Sequence, residues 1–300
     1  MMDKQLTRTR IGVCIPVYNR ADLVADCIRS VTAQTHEDVA IYVQDNGSTD
    51  GAWEAILDAA AKDTRIKPAR NDTNVGMVGN FNRVARRAVE DNCDYIAFMG
   101  IDDRLHPRFL ECCLRAYEEH PEVGAVACHY VYCDVATGVK LKRRVRSRPG
   151  VYDDYRRELL LRAPASINAM LMRRETITSL ALPGGDLFPA GVPGETNQSG
   201  AFLSFDYDLW LRMGGAGIKL CYLDETLAFI GLGGESKNMA RIERQEAQLI
   251  SRYSGDLRTS TGAVYPFTLL RRMYVSVKHR DRVTFDILVG LLSRYIKDFF

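Results

Sequence analysis

Several sequence patterns that would identify a function directly are missing from this chain of 300 residues. Its eight cysteines include no CxxC pair, which argues against a zinc site or a redox motif. No GxxxxGK(S/T) or GxGxxG sequence follows the first apolar run, which counts against P-loop ATPases and Rossmann dehydrogenases. The net charge is only +2, so the charge balance gives no indication of a nucleic-acid partner.

Long apolar segments are also missing. No uninterrupted apolar stretch reaches the ~18 residues that a membrane-spanning helix requires. The first residues are polar and lack the apolar centre of a signal peptide. We therefore expect a cytoplasmic protein that is not integral to a membrane, with reduced cysteines in its core.

The first half of the chain alternates short apolar runs with amphipathic segments. Ile11–Val17 is a nearly continuous apolar run, typical of a central parallel strand. Ala21–Gln34 then carries its apolar residues on one helical face. Further strand-like runs occur at Ala40–Val43, Tyr95–Met99 and Val123–Cys133. This alternation predicts an α/β fold with a doubly wound, mostly parallel sheet flanked by helices.

The second half is less regular. Lys140–Arg148 is a basic run that we interpret as a solvated loop, and Pro183–Gly200 has the composition of a long loop. Leu220–Phe229 is typical of an edge strand, and Gly231–Gly234 of a mobile turn. From Asn238 onward the pattern predicts amphipathic helices rich in Arg and Lys. Two interpretations of these basic segments stay open, namely packing helices or contact with an anionic membrane face.

Polar clusters follow three of the predicted strands. Tyr18 could stack on a nucleobase, and Asp45 could accept a hydrogen bond from a base imide. Asp102 and Asp103 are adjacent carboxylates that a divalent cation with a diphosphate would stabilise, although a solvated turn also explains them. Because the carboxyl ends of parallel strands share one edge, the three clusters predict a nucleotide-diphosphate site.

Several motifs together resemble the family-2 glycosyltransferases of GT-A fold. They occur in the family's order: IPVYNR (Ile15–Arg20), Gln34–Thr35, DNGSTDG (Asp45–Gly51), NVGMVGN (Asn74–Asn80), the acidic pair in YIAFMGIDDRLHP, and FDYDLWLRM (Phe205–Met213). The resemblance implies a Rossmann-like GT-A domain at 10–235, with a nucleotide-binding half (10–134) and an acceptor half (135–235). A flexible N-terminus (1–9) would precede it, and a C-terminal extension of amphipathic helices (236–300) would follow.

The resemblance also implies roles for individual residues. Asp206 would be the catalytic base, with Asp208 as a nearby alternative, and Asp103 would be the direct ligand of Mn²⁺ or Mg²⁺. Family members with a fuller DxD motif have another aspartate at the position of Gly100. The metal-binding histidine that often follows the family's last strand is also missing here. Fewer side chains would therefore bind the metal than is usual in the family. The nucleotide-binding residues would be Pro16, Tyr18, Asn19, Asp45, Asn46, Asn74, Gly76, Asn80 and Asp102.

The implied activity is inverting transfer of a hexosyl-type sugar from a nucleotide-diphosphate donor to a hydroxyl group. A UDP-sugar is favoured, although Asn46 departs from the aspartate usual in the family. The acceptor would be a glycan or lipid-linked glycan, as in surface polysaccharide synthesis, and the enzyme would be cytoplasmic, free or at the inner face of the cell membrane. Two alternatives remain: a non-catalytic nucleotide-sugar-binding protein, and a nucleotidyltransferase with Arg20 as its triphosphate contact.

Overall fold

The computed structural model describes most of the chain. It covers residues 9–134, 137, 140–145, 147–156, 159, 165–190, 204–232, 239–253, 269, 272–273 and 282–299. The predicted flexible N-terminus therefore lies outside the described residues except for Thr9. The same holds for residues 191–200 of the predicted long loop and for Gly233–Gly234 of the predicted mobile turn.

The described residues form alternating strands and helices in the first half and longer elements after it. The strands are β1 (Ile11–Val17), β2 (Val39–Asp45), β3 (Ile66–Arg70), β4 (Tyr95–Phe98), β5 (Arg104–Leu105), β6 (Ala125–Asp134), β7 (Lys140–Val145), β8 (Gly150–Tyr152), β9 (Met170–Arg173) and β10 (Leu220–Leu232). The helices are α1 (Ala21–Thr32), α2 (Ala52–Ala60), α3 (Met77–Glu90), α4 (Phe109–Glu119), α5 (Arg174–Ser179), α6 (Phe205–Gly215), α7 (Met239–Arg252) and α8 (Arg282–Phe299), with one 3-10 turn at Ile167–Ala169.

One sheet contains all ten strands. Eight follow the order β3-β2-β1-β4-β9-β6-β10-β5, while β7 pairs with β6 and β8 pairs with β10. Strands β3, β2, β1 and β4 are parallel, as their crossover helices require. Strand β9 then runs antiparallel between β4 and β6, and β10 is parallel to β6. The predicted α/β class is confirmed, and the short antiparallel strands make the sheet mixed beyond its first four strands.

Two local predictions from the second half were wrong. The basic run Lys140–Arg148 is not simply a loop, because its first six residues form β7, which pairs antiparallel with β6. Charged residues are common on strands at sheet margins, where they discourage further pairing. The segment predicted as an edge strand is β10, which is covered by β6 on one side and by β5 and β8 on the other.

The chain divides into two compact units. The first comprises residues 1–152, 165–188 and 218–233, and the second comprises 153–164, 189–217 and 234–300. In the first unit every residue of β2 is buried, and β1 is buried except for Pro16. In the second unit, α6 buries Trp210, whose ring lies edge-on to Tyr155 at 6.1 Å. The predicted division at residues 134 and 235 stays a prediction.

The cysteines are free thiols, as expected. Seven of the eight are buried and Cys133 is partly exposed. Burial raises the pKa of Cys128 to about 12, so this thiol is neutral at physiological pH. Among the described residues, no helix is both long and apolar enough to cross a membrane.

The buried parallel strands should dominate the stability of the first unit. Ile41 of β2 is fully buried, whereas Leu57 of α2 is 43% exposed. We expect Ile41→Ala to lower the free energy of unfolding by about 2–5 kcal/mol, because it removes buried methyl groups and leaves a cavity. Urea denaturation measures the change, with Leu57→Ala as the aliphatic control. Equal losses in the two variants would contradict the assigned core.

Candidate functional site

The predicted polar clusters of the first half meet at one edge of the sheet. Strand β1 lies between β2 and β4 and is parallel to both, with Val17 opposite Asp45 and Cys14 opposite Phe98. The residues that follow these three strands therefore leave the sheet on the same side. Ligands bind at such an edge in open α/β sheets.

The turn after β1 presents an aromatic ring to solvent on a constrained backbone. Tyr18 is 49% exposed, so its ring is not part of the hydrophobic core. The next two residues, Asn19 and Arg20, have φ values of 56° and 69°, in the left-handed region that side chains disfavour. Consecutive residues in this conformation are held only by strong surrounding contacts, and such strain concentrates at functional sites.

Those contacts come from the turn after β2. The backbone N–H of Asn19 donates to Ser48 Oγ at 2.7 Å, and its side-chain Oδ1 accepts from Thr49 N at 3.1 Å. Asp50 accepts hydrogen bonds from the backbone N–H groups of Ala21 and Ala52. Asn19 therefore connects the turn after β1 to the turn after β2. The N-cap residue of helix α1, Arg20, makes no side-chain capping hydrogen bond.

Asp45 is a fully buried carboxylate with an ion-pair partner that the sequence did not indicate. Its Oδ2 lies 3.0 Å from Arg70 Nε, and its two oxygens accept from Ser48 N at 3.3 and 3.2 Å. Arg70 also donates to Ser48 O at 2.7 Å and lies 5.7 Å from the centre of the Trp53 ring. Arg70 ends the short strand β3, so only the pairing of β3 with β2 could have predicted this contact.

Asn46 lies at the centre of a buried amide network. Its Nδ2 donates to Asn74 Oδ1 at 2.8 Å and to Gly76 O at 3.2 Å. Its Oδ1 accepts from Asn71 Nδ2 at 2.8 Å and from Val75 N at 3.0 Å. A primary amide has two donor hydrogens and two acceptor lone pairs, so all four positions are used within the protein.

Asn80 extends the same network into the sheet. Its Nδ2 donates to Gln44 O at 2.9 Å, and its Oδ1 accepts from Asn71 Nδ2 at 2.9 Å. Asn46, Asn74 and Asn80 were predicted as nucleotide ligands. In the structure their side chains hold the loop before α3 against the end of β2, and Gly76 contributes a carbonyl to that contact.

The acidic pair combines one enclosed and one accessible carboxylate. Asp103 is 1% exposed, and each of its oxygens accepts a backbone N–H, Oδ1 from Gly231 at 2.9 Å and Oδ2 from Gly100 at 3.1 Å. Burial, and then the neighbouring Asp102 charge, raise the pKa of Asp103 to about 8. Asp102 is partly exposed. Burial raises its pKa as well, against the opposing effect of the guanidinium groups of Arg20 and Arg104.

A divalent cation fits the chemistry of this pair. Desolvation and mutual repulsion disfavour the charged forms of Asp102 and Asp103, and a nearby cation reverses that preference. Carboxylate oxygens are ligands that Mg²⁺ and Mn²⁺ prefer. No group of three or more His, Cys, Asp or Glu side chains that could hold a metal occurs within the described ranges. The ligand oxygens of a bound diphosphate would have to complete the coordination.

The predicted catalytic base, Asp206, and its alternative, Asp208, both lie on α6 in the second unit but have different hydrogen-bond and ion-pair partners. Asp208 is buried and is paired with Arg212 Nε at 2.8 Å and Tyr253 OH at 3.0 Å. Asp206 Oδ1 accepts a hydrogen bond from Tyr207 N at 2.8 Å in the first turn of α6. Burial, and then the Glu246 charge, raise the pKa of Asp206 to about 6. A carboxyl with such a pKa suits proton abstraction near neutral pH.

Other predicted motif residues serve the fold. Gln34 Nε2 donates to His106 O at 2.9 Å, and its Oε1 accepts from Leu110 N at 3.1 Å. Thr35 Oγ1 donates to Glu111 at 2.8 Å. These contacts join the end of α1 to the start of α4, which follows the acidic pair in sequence.

Comparison with known proteins gives a family match over most of the parallel half of the sheet. Residues 12–179 match glycosyl transferase family 2. An uncharacterized glycosyltransferase of Rickettsia conorii is 36% identical over 120 residues, which are 40% of this chain. The match spans only 19% of the length of that relative.

Two solved structures show the same fold at low sequence identity. A Pyrobaculum calidifontis mannosyltransferase in complex with GDP-Man and Mn²⁺ superposes with a TM-score of 0.61 at 14% identity, covering 96% of this chain and 75% of that one. S. aureus TarS 1–349 in complex with UDP-GlcNAc has the same TM-score and identity, covering 96% of this chain and 92% of that one. These similarities establish the GT-A fold.

The amide network gives a prediction at Asn46. In Asn46→Asp, a carboxylate would face the Asn74 Oδ1 and Gly76 O acceptors that now receive its N–H groups. We expect the free energy of unfolding at pH 7 to fall by about 1–3 kcal/mol, because the buried side chain of residue 46 would lose both donor contacts and place a carboxylate against two acceptor oxygens. Urea denaturation tests this. The control is Asn92→Asp at an exposed position, where the oxygen that accepts from Arg174 is kept. A variant as stable as the wild type would contradict the role assigned to Asn46.

Proposed function

The chain belongs to glycosyl transferase family 2, and from this membership we propose that it transfers a sugar from a nucleotide-diphosphate donor to a hydroxyl group. The observation that carries the proposal is the convergence of Tyr18, Asp45 and the acidic pair at one sheet edge. Tyr18 and Asp45 suit the base of such a donor, and the acidic pair suits its charged diphosphate together with a cation. A UDP-sugar is the favoured donor, and the acceptor is a glycan or lipid-linked glycan.

The nucleoside would occupy the edge formed by β1 and β2. The exposed Tyr18 ring offers a stacking surface, since aromatic rings pack well against planar bases. Asp45 is held in place by Arg70 and Ser48 N, so its carboxylate is oriented before a ligand arrives. The Asp45 carboxylate is fully buried, so accepting the imide N–H of a uracil base requires the Arg70 side chain, which is 40% exposed, to move aside. Pro16, Asn19 and Gly76 would contribute mainly backbone around this position.

The diphosphate and its cation would lie beside the acidic pair. From the resemblance alone, Asp103 is the expected ligand and Asp102 the ribose contact. The contacts favour Asp102 as the metal ligand instead. Asp103 is enclosed and bonded to two backbone N–H groups, whereas Asp102 is partly exposed. We assign Mn²⁺ or Mg²⁺ to Asp102, with Asp103 as the carboxylate that fixes its place. A cation bound there would stabilise the negative charge that develops on the leaving diphosphate.

Transfer would proceed by a single displacement with inversion. Asp206 accepts the proton of the acceptor hydroxyl, and the hydroxyl oxygen forms a bond to the anomeric carbon. The bond from that carbon to the diphosphate oxygen breaks, and its electron pair leaves with the nucleoside diphosphate. The raised pKa of Asp206 supports this role over the alternative of a non-catalytic binding protein, which needs no base. The ion pair with Arg212 holds the Asp208 carboxylate, which favours Asp206 over Asp208 as the base.

Release of nucleoside diphosphate tests the proposed activity. The protein would be incubated with UDP-glucose, UDP-N-acetylglucosamine or GDP-mannose in the presence of Mn²⁺, with water or glycan fragments as acceptors. We expect release with at least one donor and a loss of about 10²–10⁴-fold in kcat for Asp206→Asn, the usual contribution of a general base. Asp58→Asn, at an exposed position of α2, is the control. No release with any donor would contradict the proposed function, and full activity of Asp206→Asn would contradict the base assignment.

The pH dependence of activity gives a separate prediction. Asp206 must be deprotonated to accept a proton, so kcat/KM should rise tenfold per pH unit at low pH and level off above about pH 6. Removing the neighbouring charge in Glu246→Gln should move this rise to lower pH, because the Glu246 carboxylate raises the pKa of Asp206. Glu54→Gln, on the exposed side of α2, should leave the profile unchanged. A rise that stays in place in Glu246→Gln would contradict Asp206 as the titrating group.

A further inference from the structure

Gly231 of β10 lies directly against the main chain of Asp102. A Cβ atom at position 231 would lie 2.6 Å from Asp102 O, 2.8 Å from Asp102 Cβ and 3.0 Å from Asp102 Cγ. The first of these contacts is to backbone, so rotation of a side chain could not relieve it. Any residue other than glycine would therefore have to push Asp102 away from β10.

Gly100 closes the other side of the acidic pair. A Cβ atom at position 100 would lie 2.9 Å from both Asp102 Oδ1 and Asp103 Oδ2. Asp103 Oδ2 is also the acceptor for Gly100 N at 3.1 Å, so moving that oxygen away would break the hydrogen bond. The backbone φ of neither glycine lies in the left-handed region. The requirement for glycine is therefore steric at both positions.

Asp103 links these two glycines. One carboxylate receives the N–H of Gly231 from β10 and the N–H of Gly100 from the end of β4. The Asp102 backbone is thereby held between two segments far apart in sequence, and both approach it without a side chain. The position of the Asp102 carboxylate follows from this packing.

We propose that Gly231 and Gly100 are positioning residues for the Asp102 carboxylate, and that glycine at 100 is a requirement of this site rather than a lost metal ligand. The inference rests on the proposed function, in which Asp102 binds the cation of a nucleotide-sugar donor. Beyond that function, roles are assigned to two residues that contribute no side chain to the site. It also reverses the expectation that an added acid at position 100 would strengthen the metal site.

Mn²⁺ affinity measured in the full-length protein tests the inference. Free Mn²⁺ would be quantified by electron paramagnetic resonance during titration with MnCl₂, with and without UDP. We expect the dissociation constant for Mn²⁺ to rise at least tenfold in Gly231→Ala and in Gly100→Asp, although the latter adds a carboxylate. UDP binding without metal, measured by calorimetry, should change less than twofold. A merely structural defect would weaken both.

Two further variants complete the design. Gly290→Ala is the matched control, because a Cβ at that position in α8 would meet no atom of the described residues within 4 Å, and its Mn²⁺ affinity should equal that of the wild type. Gly100→Ala decides the matter if Gly231→Ala fails to fold, because its added Cβ meets only side-chain atoms. Its dissociation constant for Mn²⁺ should also rise at least tenfold.

The outcomes separate this inference from the proposed function. Nucleoside diphosphate release and wild-type Mn²⁺ affinity in the folded glycine variants would overturn the inference and leave the function in place. Tighter Mn²⁺ binding by Gly100→Asp would overturn it in the same way. A wild-type protein that neither binds Mn²⁺ nor releases nucleoside diphosphate would overturn both.

Discussion

A buried carboxylate is stable only when the protein supplies hydrogen-bond donors to it. Asp103 accepts from two such donors, which lie on segments that are far from each other in sequence. The N–H groups of Gly100 and Gly231 satisfy one oxygen each, so Asp103 joins the end of β4 to β10. The rest of the acidic site depends on this junction, because it fixes the backbone on which Asp102 stands. The cost of burying Asp103 appears as its raised pKa, which a cation beside Asp102 would lower again.

The part of the site proposed to hold the nucleobase depends on a second set of buried polar contacts. Asn46 uses its whole hydrogen-bonding capacity to hold the loop before α3, and Asp45 is fixed by Arg70. Asn19 ties the turn after β1 to the turn after β2. Buried polar groups that are fully satisfied make a structure rigid. Two neighbouring turns and a loop are therefore in place before any nucleotide binds.

Sequence patterns predicted the parts of this molecule that depend on local periodicity. The apolar runs of β1 and β4 showed buried parallel strands, and the polar residues after them indicated the ligand edge. The basic strand β7 was missed because its stability comes from pairing with β6, a contact distant in sequence. Arg70 and Gly231 were missed for the same reason, since their roles exist only through partners across the sheet. The exposed Tyr18 was expected as a ligand group, but its exposure could be settled only by the fold.

In the proposed site, Asp102 faces the cation while Asp103 stays bonded to the two glycines. A crystal structure of the protein with Mn²⁺ and a nucleoside diphosphate, with anomalous data at the manganese edge, tests it most directly. We expect a manganese peak within about 2.0–2.5 Å of an Asp102 oxygen, the range for hard cations and carboxylates, with both hydrogen bonds of Asp103 intact. A manganese ion bound to Asp103, with the Gly100 and Gly231 bonds broken, would contradict it.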